Sequence, residues 1–297
     1  MICLKKFQGI FPALLTPFDG HGGVNYKALR QLIELNISKG VDGFYACGST
    51  GEAFLLEDRT RQEILERVIE VNAGRKTIIA HIGTISQDRA VALAKHAEKA
   101  GADAVSSIPP FYYGFTFERI RDYYFAIADA VRIPVIIYNF PANSGVKLTT
   151  ENIRVFLEDQ RFLGVKHTSS DFFMLQQMKN MRENVVVYNG YDEMFLSGIA
   201  AGADGGIGST FNFMAEKFIA IRQHVLAGEL EAAQAIQQEA NNIIAELVRL
   251  GVMPAEKAAL ELMGIPMGDC LKPFPMLSAA QKEVLRQVLL AHGCELA

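Results

Sequence analysis

Eight short, β-rich apolar runs alternate with longer stretches of helical period along most of the chain, and this alternation leaves few folds open. The runs fall at 9–15, 43–46, 77–81, 104–107, 134–138, 163–166, 185–189 and 205–208, with helical patterns such as 26–39, 58–72, 87–100, 117–130 and 191–201 between them. Three segments end alike. SKGVDG, KAGADA and AAGADG each supply a glycine that stops a helix, then an acidic residue, then the next strand. Repeated strand-helix units call for parallel strands, and a parallel sheet of eight strands closes on itself and loses both edges. The expected fold is therefore α/β, a (β/α)8 TIM barrel over residues 1–227. Helical patterns at 229–250, 254–263 and 278–292 have no strands between them, so residues 228–297 read as a C-terminal extension of three helices. Lys272-Pro273-Phe274-Pro275 forms the loop before the last of these.

The chain has 297 residues, 50% of them hydrophobic and 21% charged, enough to bury a full core as a soluble globular protein. A net charge of -4 and a pI near 5.9 offer no basic field to a phosphate backbone, and no Lys/Arg run occurs, which argues against nucleic-acid binding. The opening MICLKKFQGIFPALL carries glycine and proline inside its apolar segment and makes a poor signal peptide. No apolar run approaches membrane-spanning length. Cys3, Cys47, Cys270 and Cys294 lie far apart, without the paired C-x-x-C spacing of a zinc or redox centre, and a reducing cytoplasm is the expected setting. Cys47, beside a glycine-rich turn, reads as a small buried thiol rather than a nucleophile.

In FLGVKHTSSD, Lys166 stands on the end of an apolar strand. An unpaired interior ion is costly unless the group gives up its proton. A neutral amine condenses with ketones, which is the chemistry of Schiff-base enzymes; a solvated strand-end lysine is the plain alternative. In a parallel barrel the C-terminal strand ends carry the chemistry. There the sequence places Cys47-Gly48-Ser49-Thr50-Gly51-Glu52 after the second run, and Pro109-Pro110-Phe111-Tyr112-Tyr113 after the fourth. Tyr138-Asn139-Phe140-Pro141 follows the fifth, Lys166-His167-Thr168 the sixth, and Asn189-Gly190-Tyr191-Asp192-Glu193 the seventh. The eighth runs into Gly206-Ile207-Gly208-Ser209-Thr210.

GSTGE offers two hydroxyls and several N–H groups in a tight turn, suited to a carboxylate or to capping a helix. Tyr138 is either a buried strand tyrosine or an acid/base group helped by a cation or hydrogen-bond chain. Asp192 and Glu193 open a helix, where acids suit the dipole, and Asp192 is the one expected to be partly engaged in capping it. His81, His96 and His167 have no metal-ligand spacing, so no metal is implied. Strand alternation turns His167 away from Lys166, toward the helices.

With these residues in order, the chain resembles the dihydrodipicolinate synthase/N-acetylneuraminate lyase family of pyruvate-dependent class I aldolases along nearly its whole length. GSTGE, the tyrosine of YNFP and the lysine of GVKHTS carry the resemblance. It implies a Schiff base between Lys166 and the keto carbon of pyruvate, with no cofactor, Ser49 and Thr50 on the pyruvate carboxylate, and Tyr138 shuttling protons. It also implies a homotetramer, a dimer of dimers in which Tyr112 reaches into a neighbouring subunit's site. FPALLTPFD, PFYYGFTF, SGVKLT, NGYDE and GGIGSTFN are similar to the family's sugar-acid lyase branch. That branch's sugar-binding pattern falls on Thr168, Gly190, Asp192, Glu193 and Ser209. The synthase branch has an arginine just after the YNxP proline, where this chain has Ala142 and Asn143, and asparagine offers no charged bidentate clamp.

The implied activity is reversible cleavage of open-chain N-acetylneuraminate to N-acetylmannosamine and pyruvate, with small-molecule partners only. Three other readings stay open: an aldolase for a different 2-keto-3-deoxy sugar acid, a catalytically silent sugar-acid-binding paralogue, and a phosphate-binding barrel isomerase gripping through residues 205–209.

Overall fold

The acids of the three repeated helix stops set the strands in register. Gly40, Gly101 and Gly202 take φ of 89°, 104° and 101°, the left-handed conformation that ends a helix at low cost for glycine. Two residues on, Asp42 Oδ2 accepts from the Ile10 N–H, Asp103 Oδ2 from Ile78 N–H and Asp204 Oδ2 from Val187 N–H, at 2.8, 2.8 and 2.9 Å. Each aspartate also donates its own N–H to the carbonyl of the same residue it accepts from. The repeat thus latches the bottom of one strand to its neighbour and satisfies donors that would otherwise be unpaired there.

The computed structural model describes residues 4–297, and Cys3 lies outside the described residues. The strands are β1 (Gly9–Pro12), β2 (Gly43–Ala46), β3 (Thr77–His81), β4 (Ala104–Ser107), β5 (Val135–Asn139), β6 (Phe162–His167), β7 (Val186–Asn189) and β8 (Gly205–Gly208). All pair in parallel in chain order from β2 to β8, and β8 pairs with β1. A bridge between Ala13 and Tyr45 completes the ring. The structure is the expected (β/α)8 barrel followed by helices. The first strand stops at Pro12, short of residue 15, because the chain changes neighbours there. Ala13 N donates to Gly208 O, Leu14 N to Tyr45 O and Leu15 N to Asn212 Oδ1.

Around the barrel lie α1 (Tyr26–Ser38), α2 (Asp58–Asn72), α3 (Gln87–Ala100), α4 (Phe117–Ala130), α5 (Pro141–Ser144), α6 (Thr150–Leu157), α7 (Phe172–Lys179), α8 (Phe195–Ala200) and α9 (Phe211–Ala227). The extension is α10 (Leu230–Leu250), α11 (Val252–Leu262) and α12 (Ala279–Ala291). Helices α5 to α7 have at most eight residues each, too short for a helical period to separate them from a short apolar strand in the sequence. The expected helix 191–201 divides into a 3-10 turn, Asp192–Met194, and α8.

Inside the ring, side chains from alternate positions stack as a packed core: Phe11, Tyr45, Ile79, Ile136, Tyr138, Tyr188 and Ile207, closed below by Phe7. Tyr188 Oη donates to Phe7 O at 2.6 Å, which seats that plug. The register between β5 and β6 slips after Val135, whose partner is Phe162 while Ile136 pairs with Gly164. The extra residue, Leu163, lets both Leu163 and Lys166 face the interior, although three positions separate them.

Closure depends on a bare backbone seam. A Cβ on Gly205 would lie 1.9 Å from Gly9 O across the β8–β1 pair. Gly205→Ala is expected to destabilise the barrel by about 3 kcal/mol or more, the upper range of overpacking, whereas Gly20→Ala, with nothing within 4 Å of its Cβ, should be near neutral. Denaturant midpoints of the two variants test this, and an undisturbed Gly205→Ala would mean the seam yields.

Candidate active site

Lys166 is 5% exposed, deep in the mouth of the barrel. It sits in register between Tyr138 on β5 and Tyr188 on β7. Its Nζ lies 4.1 Å from the Tyr138 ring centroid and 4.4 Å from that of Tyr45. No carboxylate among the described residues forms an ion pair with it, and burial lowers its pKa to about 7 against the weaker pull of Asp192 in the opposite direction. A large fraction of the amine is therefore unprotonated at neutral pH, the state that attacks a carbonyl. His167, one residue on, turns outward as alternation requires. Its Nδ1 meets Asn139 Nδ2 and its Nε2 meets Asp171 O.

A cleft of about 320 Å3 opens above Lys166. Ser49, Thr50, Tyr138, Thr168, Gly190, Asp192, Glu193 and Ser209 all line it. Every residue singled out in the sequence for this site is there except Tyr112, which is 84% exposed and lines a neighbouring aromatic cleft. Asn143 borders both clefts. Cys47 is buried, donates to Arg61 O and has its thiol pushed up to about 11, so it is no nucleophile at neutral pH.

The GSTGE turn is not a serine-capped helix start. Its N–H groups at Gly51 and Glu52 return to Gly48 and Ser49 carbonyls, and Cys47 and Glu52 hold φ of 58° and 60° on either side. Among the described residues nothing accepts from the Ser49 or Thr50 N–H, so both remain available to an anion. Burial is the main cause that raises the Tyr138 phenol above its ordinary range. Thr168 Oγ1 is buried without a hydrogen-bond partner. Close packing leaves it that position, since a Cβ on Gly190 would fall 1.9 Å from the same oxygen.

Asp192 does not cap its own helix. Its Oδ2 accepts from Thr210 N–H and Oγ1–H at 2.9 and 2.7 Å, at the head of α9. The carboxylate fits because residue 208 is glycine, whose Cβ would come within 2.1 Å of Asp192 Oδ1. Burial raises Asp192 to about 6 despite the Thr210 bonds. Glycines 205, 206 and 208 are thus taken up by Gly9, by Phe195 and Phe211, and by Asp192, an arrangement that leaves the phosphate-gripper reading without a loop to grip with.

The extension supplies parts of the site with no distinctive signature in the sequence. Lys257 on α11 pairs with Glu52 at 2.7 Å, both side chains almost fully buried, and Glu52 Oε2 accepts from Leu271 N–H at 2.6 Å. Gln237 on α10 donates to Asp192 O and Asn241 to Glu193 O. Val252 and Met253 close one wall of the cleft, and Glu256 is wholly buried one turn further along α11. In the sequence Gln237, Asn241, Glu256 and Lys257 read as ordinary polar positions of amphipathic helices.

Residues 6–292 match the dihydrodipicolinate synthetase family. An N-acetylneuraminate lyase of Rhizobium meliloti is 41% identical over 284 residues, 96% of this chain and 95% of that one. Two solved structures superpose closely. CdNal from Clostridium difficile in complex with mannosamine gives a TM-score of 0.94 at 34% identity, covering 96% of this chain and 99% of that one. A catalytic lysine mutant of the Ruminococcus gnavus sialic acid aldolase gives 0.95 at 30% identity, covering 98% and 97%.

The lowered pKa of Lys166 has a thermodynamic counterpart. With the folded value near 7 and the unfolded value near 10.4, the unfolded chain binds the extra proton between those limits, so stability rises with pH across that window. Below pH 7 the full penalty, on the order of 5 kcal/mol, is present. Lys166→Met, similar in volume and uncharged, should melt above the wild type at pH 7, with the advantage shrinking by pH 9.5. Thermal melts at the two pH values check it, and a pH-independent difference would contradict it.

Proposed function

The chain belongs to the dihydrodipicolinate synthetase family, and we propose that within it this protein is a class I aldolase that cleaves N-acetylneuraminate reversibly to N-acetylmannosamine and pyruvate. The observation that carries this reading is the buried, unpaired Lys166 amine set over the Tyr138 ring at the base of a polar cleft. We assign Lys166 as nucleophile and Tyr138 as proton shuttle. Ser49 and Thr50 take the substrate carboxylate, and Thr168, Gly190, Asp192, Glu193 and Ser209 take the sugar hydroxyls.

Neutral Lys166 adds to the C2 ketone of the open-chain sugar acid, and loss of water leaves an iminium. The C4 hydroxyl gives its proton to Tyr138 as the C3–C4 bond breaks. The bonding pair flows into the iminium to form an enamine, and the aldehyde departs. Protonation at C3 and hydrolysis of the imine then release pyruvate and restore the amine. Because the Tyr138 phenol is raised rather than lowered, it accepts a proton only as it passes its own onward, and the substrate carboxylate beside Ser49 is the natural recipient. The rings of Tyr45 and Tyr138 lie where the iminium cation forms, which favours that intermediate. No metal or other cofactor enters these steps.

We divide the chain into a catalytic barrel, 1–227, and a three-helix extension, 228–297, that walls the site. We further infer a cytoplasmic protein that works as a homotetramer, a dimer of dimers. Tyr112 holds a left-handed φ of 75° and, with Tyr113 and Phe115, presents an exposed edge-to-face aromatic cluster suited to burial against another copy.

Two measurements test the reading. Borohydride with pyruvate should label Lys166 alone and fail to label Lys166→Ala, while the wild type releases pyruvate from N-acetylneuraminate faster than from shorter 2-keto-3-deoxy acids. Label on another lysine removes the mechanism, and preference for a shorter acid moves the substrate. Sedimentation at micromolar concentration should give a tetramer, and a fully active monomer would refute the assembly.

A further inference from the structure

We propose that Glu256 is a positioning residue for sugar recognition: once a bound polyol holds the Ser209 hydroxyl, Glu256 donates its O–H to Ser209 Oγ and keeps the Ser209 proton on a hydroxyl oxygen of that chain. The role rests on the aldolase reading above and concerns only the end of the ligand remote from Lys166.

The geometry of α11 carries it. Val252 and Met253, in its first turn, line the cleft, and Glu256 follows at i+4 and i+3, on the same helix face and one turn deeper. Its side chain is 0% exposed, and neither carboxyl oxygen has a hydrogen-bond partner. The groups that act on it across the helix interface are the Ser209 hydroxyl and the Asp192 carboxylate, both lining the cleft. A buried acid with both oxygens unsatisfied lowers stability, and an apolar residue of that volume would fill the space without the cost. A ligand that fixes the Ser209 hydroxyl gives the Glu256 donor the partner it otherwise lacks. A neutral carboxyl offers one donor and one acceptor, and Ser209 is the lining group through which the donor reaches the cleft.

Burial pushes the Glu256 carboxyl up to about 8, so it keeps its proton at pH 7. The charged and titratable groups around it are Asp192 from the loop after β7, Lys166 beyond Asp192 on β6, and Lys257 on its own helix, neutralised by Glu52 from the turn after β2. Cys270, after α11, has a thiol raised to about 12 by burial and stays uncharged. Loss of the Glu256 proton therefore removes a donor and adds a second negative charge beside Asp192.

The test uses the full chain as wild type, Glu256→Gln and Glu256→Leu. For each, kcat and KM on N-acetylneuraminate are followed from pH 6.5 to 9, with pyruvate trapping at Lys166 and a melting curve. The Leu variant should melt no lower than wild type, trap pyruvate normally and raise KM about tenfold, with kcat held within about twofold. The Gln variant, whose amide keeps a donor at every pH, should match wild type at pH 7. It should also lack the rise in KM that the wild type shows above about pH 8. Titration of Lys166 is common to all three and cancels in the comparison. An unchanged KM in the Leu variant overturns the role, as does an alkaline rise shared equally by wild type and Gln. Equal loss of trapping and cleavage in the Leu variant would make Glu256 a packing residue. A wild type that traps no pyruvate would instead remove the aldolase reading, and this role with it.

Discussion

The buried ion pair between Glu52 and Lys257 joins the two parts of the molecule, and the shape of the site follows from it. A charge taken out of water is tolerated only with a partner and further hydrogen bonds. Glu52 has both, in Lys257 at 2.7 Å and the Leu271 N–H. Lys257 in turn lies 4.2 Å from the Phe18 ring centroid and donates to Asp269 O. The pair holds the end of the GSTGE turn in its left-handed conformation and presses α11 against the barrel mouth. Gln237 and Asn241 on α10 do the same for the carbonyls of Asp192 and Glu193. A barrel alone would leave these rim loops free in solvent.

The barrel was legible in the sequence because its signals are local and repeated. Gly40, Gly101 and Gly202 each stop a helix, and the acid two positions on each marks the next strand, so the punctuation could be counted without knowing what the acids bind. The missed helices have the opposite character. Helix α7, FFMLQQMK, is short, mostly apolar and carries an exposed Phe173, so neither period nor composition separates it from a strand. Lys166 was legible because a charge ending an apolar run is a local contradiction. Glu52, Lys257 and Glu256 were not, because each reads as an ordinary polar residue until tertiary packing buries it. Asp192 lies between these cases: its place on the rim could be read, but its bond to Thr210 depends on a glycine sixteen residues later, at position 208.

Strand β8 shows how that dependence works. Gly205, Gly206 and Gly208 leave one inward-facing side chain, Ile207, among four residues, a poor strand by propensity. The missing side chains are replaced by groups from elsewhere: the β1 backbone at Gly205, Phe195 and Phe211 at Gly206, and the Asp192 carboxylate at Gly208. Sequence weakness in this strand is the complement of bulk in its neighbours, and it brings an acid within range of Lys166.

Two groups that line this cleft and a third buried behind it carry full charges in water and have their titrations drawn toward neutrality: Asp192 at about 6, Lys166 at about 7 and Glu256 at about 8. Desolvation is the leading cause for all three, and it penalises whichever member is charged when the cleft is empty. In the proposed reaction a 2-keto acid would change the balance by bringing its own carboxylate to the Ser49–Thr50 turn. The amine must be neutral to attack, so the carboxylate gains little Coulombic attraction in the encounter complex. An iminium at Lys166, as proposed, would set a permanent positive charge beside that carboxylate, between two aromatic rings, in a medium that screens poorly. The attraction is therefore larger in the covalent intermediate than in the complex that precedes it, and only interactions that grow along the reaction coordinate lower its barrier. The same dryness that makes Lys166 costly to the fold makes the iminium favourable to form.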